Sequence, residues 1–176
     1  MLENKILKIR ALEPEDIDWL YKWENDAKLW HLSNTTKPFS RYVLEQYILN
    51  SHLDICEYKQ LRLMIDLKEG KEEKTIGCID MFDFDPINLR AGIGLFITDE
   101  YRGKGIAAEA IDLLVNYSKN MLHLHQLYCT ITQDNESSIK AFKKAGFKES
   151  GKRFHWVRKE DKWLDENFYQ LIFAAI

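Results

Sequence analysis

Proline is scarce in this chain of 176 residues, with three in all, and no internal repeat or low-complexity tract is present. Flexible linkers are usually built from such material, so nothing marks a tether between domains. The length suits one domain spanning residues 1–176. Cysteine is equally sparse. Cys56, Cys78 and Cys129 are odd in number and isolated, which fits reduced thiols in the cytoplasm and not a disulfide framework. A surplus of one charge is also missing: Lys and Arg total 25 against 28 Asp and Glu, a net charge of −3. That balance offers no electrostatic footprint for a nucleic-acid partner. Apolar runs are broken by charges well before the roughly 18 residues a membrane span needs. Glu3, Lys5, Lys8 and Arg10 leave no apolar stretch for an export signal at the start. What remains is a chain that is 45% hydrophobic, ample for a packed core.

Apolar spacing predicts the elements. Residues 5–12 alternate as an entry strand, and Pro14 with Glu15 and Asp16 opens a helix carrying Ile17, Leu20 and Tyr21. Residues 30–40 read as a loop, and Ser40 as the N-cap of a second helix with Val43, Leu44, Tyr47 and Ile48. Strands follow at 61–67, 75–84 and 89–98, with a charged hairpin loop at 68–74. A helix over 105–120 presents Ile106, Ala110, Leu113, Leu114, Tyr117 and Met121 as its buried stripe. A strand at 126–132, a helix at 135–145 closed by Gly146, and two aromatic strands within 148–173 complete the order. The economical architecture is one mixed α/β sheet with helices on both faces.

The sharpest chemical signal is Tyr101-Arg102-Gly103-Lys104-Gly105-Ile106-Ala107-Ala108, placed between a buried strand and the long helix. Two glycines let the backbone turn tightly and bring its N–H groups close to a ligand. The helix N-terminus adds unsatisfied donors and a positive dipole end, and Arg102 and Lys104 add full charges. Pyrophosphate fits such a loop best. A flexible connection with no ligand and a dinucleotide fingerprint (Gly103-x-Gly105-x-x-Ala108) are the competing assignments. The dinucleotide motif belongs to the first strand–helix unit of a parallel sheet, whereas several strands precede this loop. A Walker loop is excluded, since no glycine stands five residues before Gly103 and neither Ser nor Thr follows Lys104.

Together with Asp134-Asn135-Glu136-Ser137-Ser138-Ile139 running into Ala141-Phe142-Lys143-Lys144-Ala145-Gly146-Phe147, this segment resembles the acyl-CoA-binding core of the GNAT superfamily of N-acetyltransferases. Arg102-Gly103-Lys104-Gly105-Ile106-Ala107 fits that family's Arg/Gln-x-x-Gly-x-Gly/Ala pattern. The element order matches over nearly the whole chain. Arg10-Ala11-Leu12-Glu13-Pro14-Glu15-Asp16 and Trp23-Glu24-Asn25-Asp26 are similar to the branch that acts on ribosomal-protein N-termini and polyamines. The resemblance implies an α+β fold with a single, mostly antiparallel, twisted sheet. It implies acetyl-CoA as cofactor, with Leu95, Phe96 and Ile97 offering backbone groups to pantetheine. Arg102, Gly103, Lys104, Gly105, Ile106, Ala107 and Ala108 would hold the pyrophosphate, and Asn135, Ser138, Phe142 and Lys144 would line the rest of the channel. A homodimer through the C-terminal strands is a family-level expectation, with Phe154, Trp156, Trp163 and Phe168 as aromatic packing or contact residues.

The implied reaction moves an acetyl group from acetyl-CoA to a primary amine by direct attack on the thioester. A small-molecule amine and a protein N-terminus both remain as acceptor. An alkylamine with a pKa near 10 is only about one part in a thousand neutral at pH 7, so a proton must leave before attack. Many relatives carry a tyrosine acid where this chain has Phe142, which leaves Ser138 on the helix begun by Asn135 as the substitute donor. Relatives often carry Glu after the alanine where Gly92 follows Ala91, and residues 33–37 hold no acid. Asp80 and Asp83, with Glu24 and Asp26, are the remaining acids to attract an amine, and Trp30 and His31 sit in the loop expected to cover it. His123 and His125 lack metal-ligand spacing, so no metal is expected. The departures from the family pattern keep a second class in play, a CoA-binding sensor or scaffold without turnover.

Overall fold

The computed structural model describes residues 2–33, 35–70 and 72–173, with every side chain among them except those of His31 and Leu32. Eight strands form one sheet: β1 (Leu2–Glu3), β2 (Leu7–Ala11), β3 (Gln60–Glu69), β4 (Glu72–Asp85), β5 (Arg90–Ile97), β6 (Gln126–Thr132), β7 (Lys148–Lys159) and β8 (Lys162–Ile172). Their order across the sheet is β1-β2-β3-β4-β5-β6-β8-β7. Every neighbouring pair is antiparallel except β5 and β6. Among the described residues six helices accompany it: α1 (Ile17–Glu24), α2 (Trp30–Ser33), α3 (Arg41–Asn50), α4 (Ile55–Tyr58), α5 (Ile106–Asn120) and α6 (Glu136–Lys144).

Strand alternation divides the core in two. On β3, Leu63 and Ile65 join Ile79, Ile93, Leu127, Cys129 and Ile131 under α5 and α6. Met64, between them, faces the other way with Cys78, against Leu20 and Trp23 of α1 and Leu44 and Ile48 of α3. An ionic clasp ties α1 to the sheet. Arg10 of β2 donates through Nε to Asp66 at 2.6 Å and through both terminal nitrogens to Asp16, at 2.7 and 2.8 Å. Thr75 donates to the other Asp66 oxygen. Asp16 and Asp66 are both buried, so each carboxylate needs these partners to offset its lost hydration.

Four local expectations change. The charged segment 68–74 is mostly strand, because the ladder continues through Lys68↔Glu73 and Glu69↔Glu72 and Gly70 turns at φ +67°. Part of the expected loop at 30–40 is the short helix α2, and α4 is unforeseen. In α4 the Asp54 side chain accepts from the Cys56 N–H at 2.7 Å, a cap strong enough to hold one turn. Met121 is 69% exposed and lies off the buried stripe of α5, where Ile111 and Ser118 are buried instead. Ser118 tolerates burial because its hydroxyl donates to the Leu114 carbonyl at 2.7 Å.

Candidate active site

The parallel strands β5 and β6 are joined only at Arg90↔Gln126, Ala91↔Leu127 and Gly92↔Tyr128. Beyond Gly92 they part, although β5 stays paired with β4 as far as Ile97 and β6 with β8 as far as Thr132. A wedge therefore opens in the middle of the sheet. The backbone edges of residues 93–97 and 129–132 that face it have no strand partner, and such groups call for hydrogen bonds. An extended ligand carrying amides could complete the ladder there. Aromatic rings close the base of the wedge. A Cβ on Gly92 would lie 2.3 Å from the Phe82 ring, so only glycine lets that ring cover the strand. Tyr128 meets Phe82 edge-on at 6.2 Å and stacks on Phe168 at 5.3 Å.

At the open end, a 3-10 turn over Asp99–Tyr101 leads through Arg102 to the N-terminus of α5. Gly103 and Gly105 hold φ of +75° and +80°, which a side chain rarely adopts, and open space lies where their Cβ atoms would be. No side chain caps α5. Its first-turn N–H groups stay free, and the dipole favours an anion before them. Arg102 is held in place by donating Nε to the Ile97 carbonyl at 2.9 Å and pairing with Asp99 at 2.8 Å. Lys104 swings its ammonium over the Tyr101 ring, 5.0 Å from the centroid.

A cavity of about 580 Å³ runs from this loop along the wedge to α6. The structure brings Leu95, Phe96, Ile97, Arg102, Gly103, Gly105, Ile106, Ala107, Ala108, Asn135, Ser138 and Lys144 together on its wall. Lys104 and Phe142, expected among them, are not on it. Phe142 is buried against Phe147, ring edge to face at 5.1 Å, because α6 needs an apolar anchor in the core. Asn135 has a structural duty: its Oδ1 caps α6 by accepting from the Ser138 N–H at 3.3 Å and the Ser137 hydroxyl at 3.1 Å. Among the described residues the Ser138 hydroxyl makes no hydrogen bond of its own.

A second cavity, of about 500 Å³, opens on the α1 side and shares Phe96, Arg102 and Asn135 with the first. The wedge thus connects two mouths. Trp23 of α1, 5.3 Å from Phe96, lines the second one together with Asp26, Lys28 and Lys159. The sequence offers Asp26 among the acids for an amine, whereas Trp23, Lys28 and Lys159 carry no site signal in it. Trp23, four positions after Trp19 on α1, carried only a core signal. Trp30 lies beside this mouth without lining it, its indole N–H given to the Glu24 carbonyl at 2.9 Å. The side chain of His31 falls outside the described residues. Asp80 is not free to receive an amine. Asp80 is gripped by Arg62 through Nε at 2.8 Å and a terminal nitrogen at 2.7 Å, and Arg62 also binds Glu24. Asp83 sits on a bulge at φ +49° and accepts from the Tyr128 hydroxyl at 3.2 Å.

The cysteines are poor nucleophiles. Burial pushes the thiols of Cys78 and Cys129 up to about 12, and a hydrogen bond with Asp54 raises that of Cys56. At pH 7 the two buried thiols are ionised to about one part in a hundred thousand. Among the described residues no cysteine lines either cavity.

The Acetyltransferase (GNAT) domain model matches residues 7–148. This chain belongs to the GNAT acetyltransferases. Spermidine N(1)-acetyltransferase of Escherichia coli K12 is 26% identical over 152 residues, covering 85% of this chain and 76% of that protein. A putative ribosomal N-acetyltransferase of Bacillus subtilis is 34% identical over 155 residues, covering 85% of this chain and 81% of that one. The crystal structure of spermidine N-acetyltransferase from Vibrio cholerae in complex with CoA and spermine superposes with a TM-score of 0.84. At 22% identity over 96% of each chain, that likeness establishes the GNAT fold. The chain is an acetyl-CoA-dependent N-acetyltransferase. Its glycine loop, uncapped α5 and unpaired strand edges have the chemistry that CoA requires: anion donors at one end, amide partners along the middle.

Proposed function

We propose that acetyl-CoA lies in the wedge and that the acceptor amine enters from the α1 side to attack the thioester directly. The connection of the two cavities at Phe96, Arg102 and Asn135 carries this reading. Arg102 and the N–H groups at the start of α5 hold the pyrophosphate. Residues 95–97 orient the pantetheine arm through their backbone. Opposed entry lets donor and amine meet in line and leaves each cavity one charge problem to solve. Asn135 fixes the first turn of α6, and Ser138 on that turn gives a proton to the departing thiolate, since Phe142 has none. With no cysteine on either cavity wall among the described residues, a ternary complex and not a covalent relay suits the site.

The acceptor is a primary amine. Three unpaired cysteines support a cytoplasmic, reducing setting. Phe154, Trp156 and Trp163, all more than half exposed on the terminal hairpin, support a homodimer contact through the C-terminal strands. The test is calorimetry with acetyl-CoA and with NAD, followed by thiol release from acetyl-CoA in the presence of mixed amines. Tight acetyl-CoA binding with amine-dependent release is expected. Binding of NAD in its place, or CoA binding without release from any amine, would overturn the reading.

A further inference from the structure

The acids around the acceptor mouth are nearly all neutralised within the chain. Asp99 faces Arg102 at 2.8 Å, Asp134 faces Lys159 at 2.7 Å and Glu100 faces Lys74 at 3.9 Å. Deeper on the same side of the sheet, Asp80 and Glu24 share Arg62. Asp26 alone on this rim has no ion pair among the described residues, and its Oδ1 already accepts the Lys28 N–H at 3.0 Å. Lys22 and Lys28 line the same mouth and, among the described residues, face no carboxylate within ion-pair distance. A polyamine brings two or more positive charges and needs unpaired carboxylates to receive them. This mouth presents one such acid beside two unpaired ammonium groups.

Among the described residues, the same pairing leaves Asp26 as the one unpaired carboxylate on this rim to take the amine's proton. An alkylamine acceptor with a pKa near 10 is about one part in a thousand reactive at pH 7. The α-amine of a peptide, with a pKa of about 7.7 to 8.0, is neutral at roughly one part in ten under the same conditions. It needs no strong base. Resting on the transferase reading above, we infer that the acceptor is the α-amine of a peptide N-terminus whose first residues are neutral or acidic, selected by Lys22 and Lys28. The remainder of the peptide leaves along the α1 side, where the two ammonium groups meet its acidic side chains or carbonyls.

The experiment measures thiol release by the full chain at saturating acetyl-CoA with three acceptors. These are spermidine, a lysine-free peptide with Glu at its second and third positions, and the same peptide with Arg there. At pH 7 the acidic peptide should exceed spermidine about 100-fold in kcat/KM, the ratio of their neutral fractions. Its rate should level off near pH 8, where the α-amine has lost its proton. In the K22E/K28E double variant, KM for the acidic peptide should rise about 5-fold and KM for the Arg peptide should fall, with KM for acetyl-CoA unchanged. Faster turnover of spermidine, a rate still climbing towards pH 10, or an unchanged peptide preference in the double variant would overturn the inference. A rise in KM for acetyl-CoA would do the same by assigning the lysines to the cofactor. Failure of acetyl-CoA to bind in calorimetry is a separate outcome, and it would overturn the transferase reading itself.

Discussion

The two mouths of the wedge are built from different materials. On the α5 side the ligand-facing groups are mainly backbone: uncapped N–H groups, two left-handed glycines and the free edge of β5. On the α1 side they are charged side chains that have already found one another across 18 to 38 residues of sequence, as in the Glu24–Arg62–Asp80 cluster. A backbone site tolerates neighbours changing, because every residue supplies the same donor. A side-chain site is rewritten whenever one partner changes.

That contrast can be broken from either side. The largest effect is expected on the α1 side, where Arg62→Ala would leave Glu24 and Asp80 half-buried without a cation. The loss should be about 3 kcal/mol, read as a Tm lowered by about 10 °C. An unchanged Tm would mean water already screens the pair. On the α5 side, Arg102→Glu with Lys104→Glu should weaken acetyl-CoA binding about 30-fold in calorimetry. Far-UV dichroism should stay the same, since both side chains sit on the rim. Replacement of Gly105 by Ala should cost about 1 kcal/mol of stability and about 10-fold in acetyl-CoA affinity, for it strains the left-handed residue and fills the cradle. Ser138→Ala should lower kcat about 10-fold with little change in KM for acetyl-CoA; an undiminished rate would remove the hydroxyl from the reaction.

The smallest effect concerns the thiols. In native protein at pH 8 a thiol reagent should modify Cys56 alone, and all three only after denaturation. Folding holds Cys78 and Cys129 protonated up to about 12, whereas the unfolded chain ionises them near 8.5. Their contribution to stability is fully present below that lower value and is lost as pH rises towards 12. A urea midpoint that falls over this window, and falls less in Cys129→Ala, is the expected result.

Much of the fold was legible because its signals are local. The strand at 126–132 came directly from alternation, which puts Leu127, Cys129 and Ile131 on one face, and Gly146 marked the end of the helix over 135–145. Short elements were harder. The turns of α2 and α4 each span four residues, too few for a period to show, and β1 is only two residues long. Phe142 illustrates the opposite error. A family-based reading placed it in the channel, yet an aromatic ring on a nine-residue helix is drawn into the core by Phe147.

By itself the sequence determined a mixed sheet with helices on both faces, the anion loop from Arg102 to Ala108, and a chain without a surplus of either charge. Those depend on periodicity, glycine and helix dipoles, all of which act over a few residues. Tertiary structure alone decided where β5 and β6 part, which acids are spent on Arg62, Arg102 and Lys159, and which two lysines remain at the acceptor mouth. Charges separated by tens of residues meet only after the sheet has formed, so no local rule can pair them in advance.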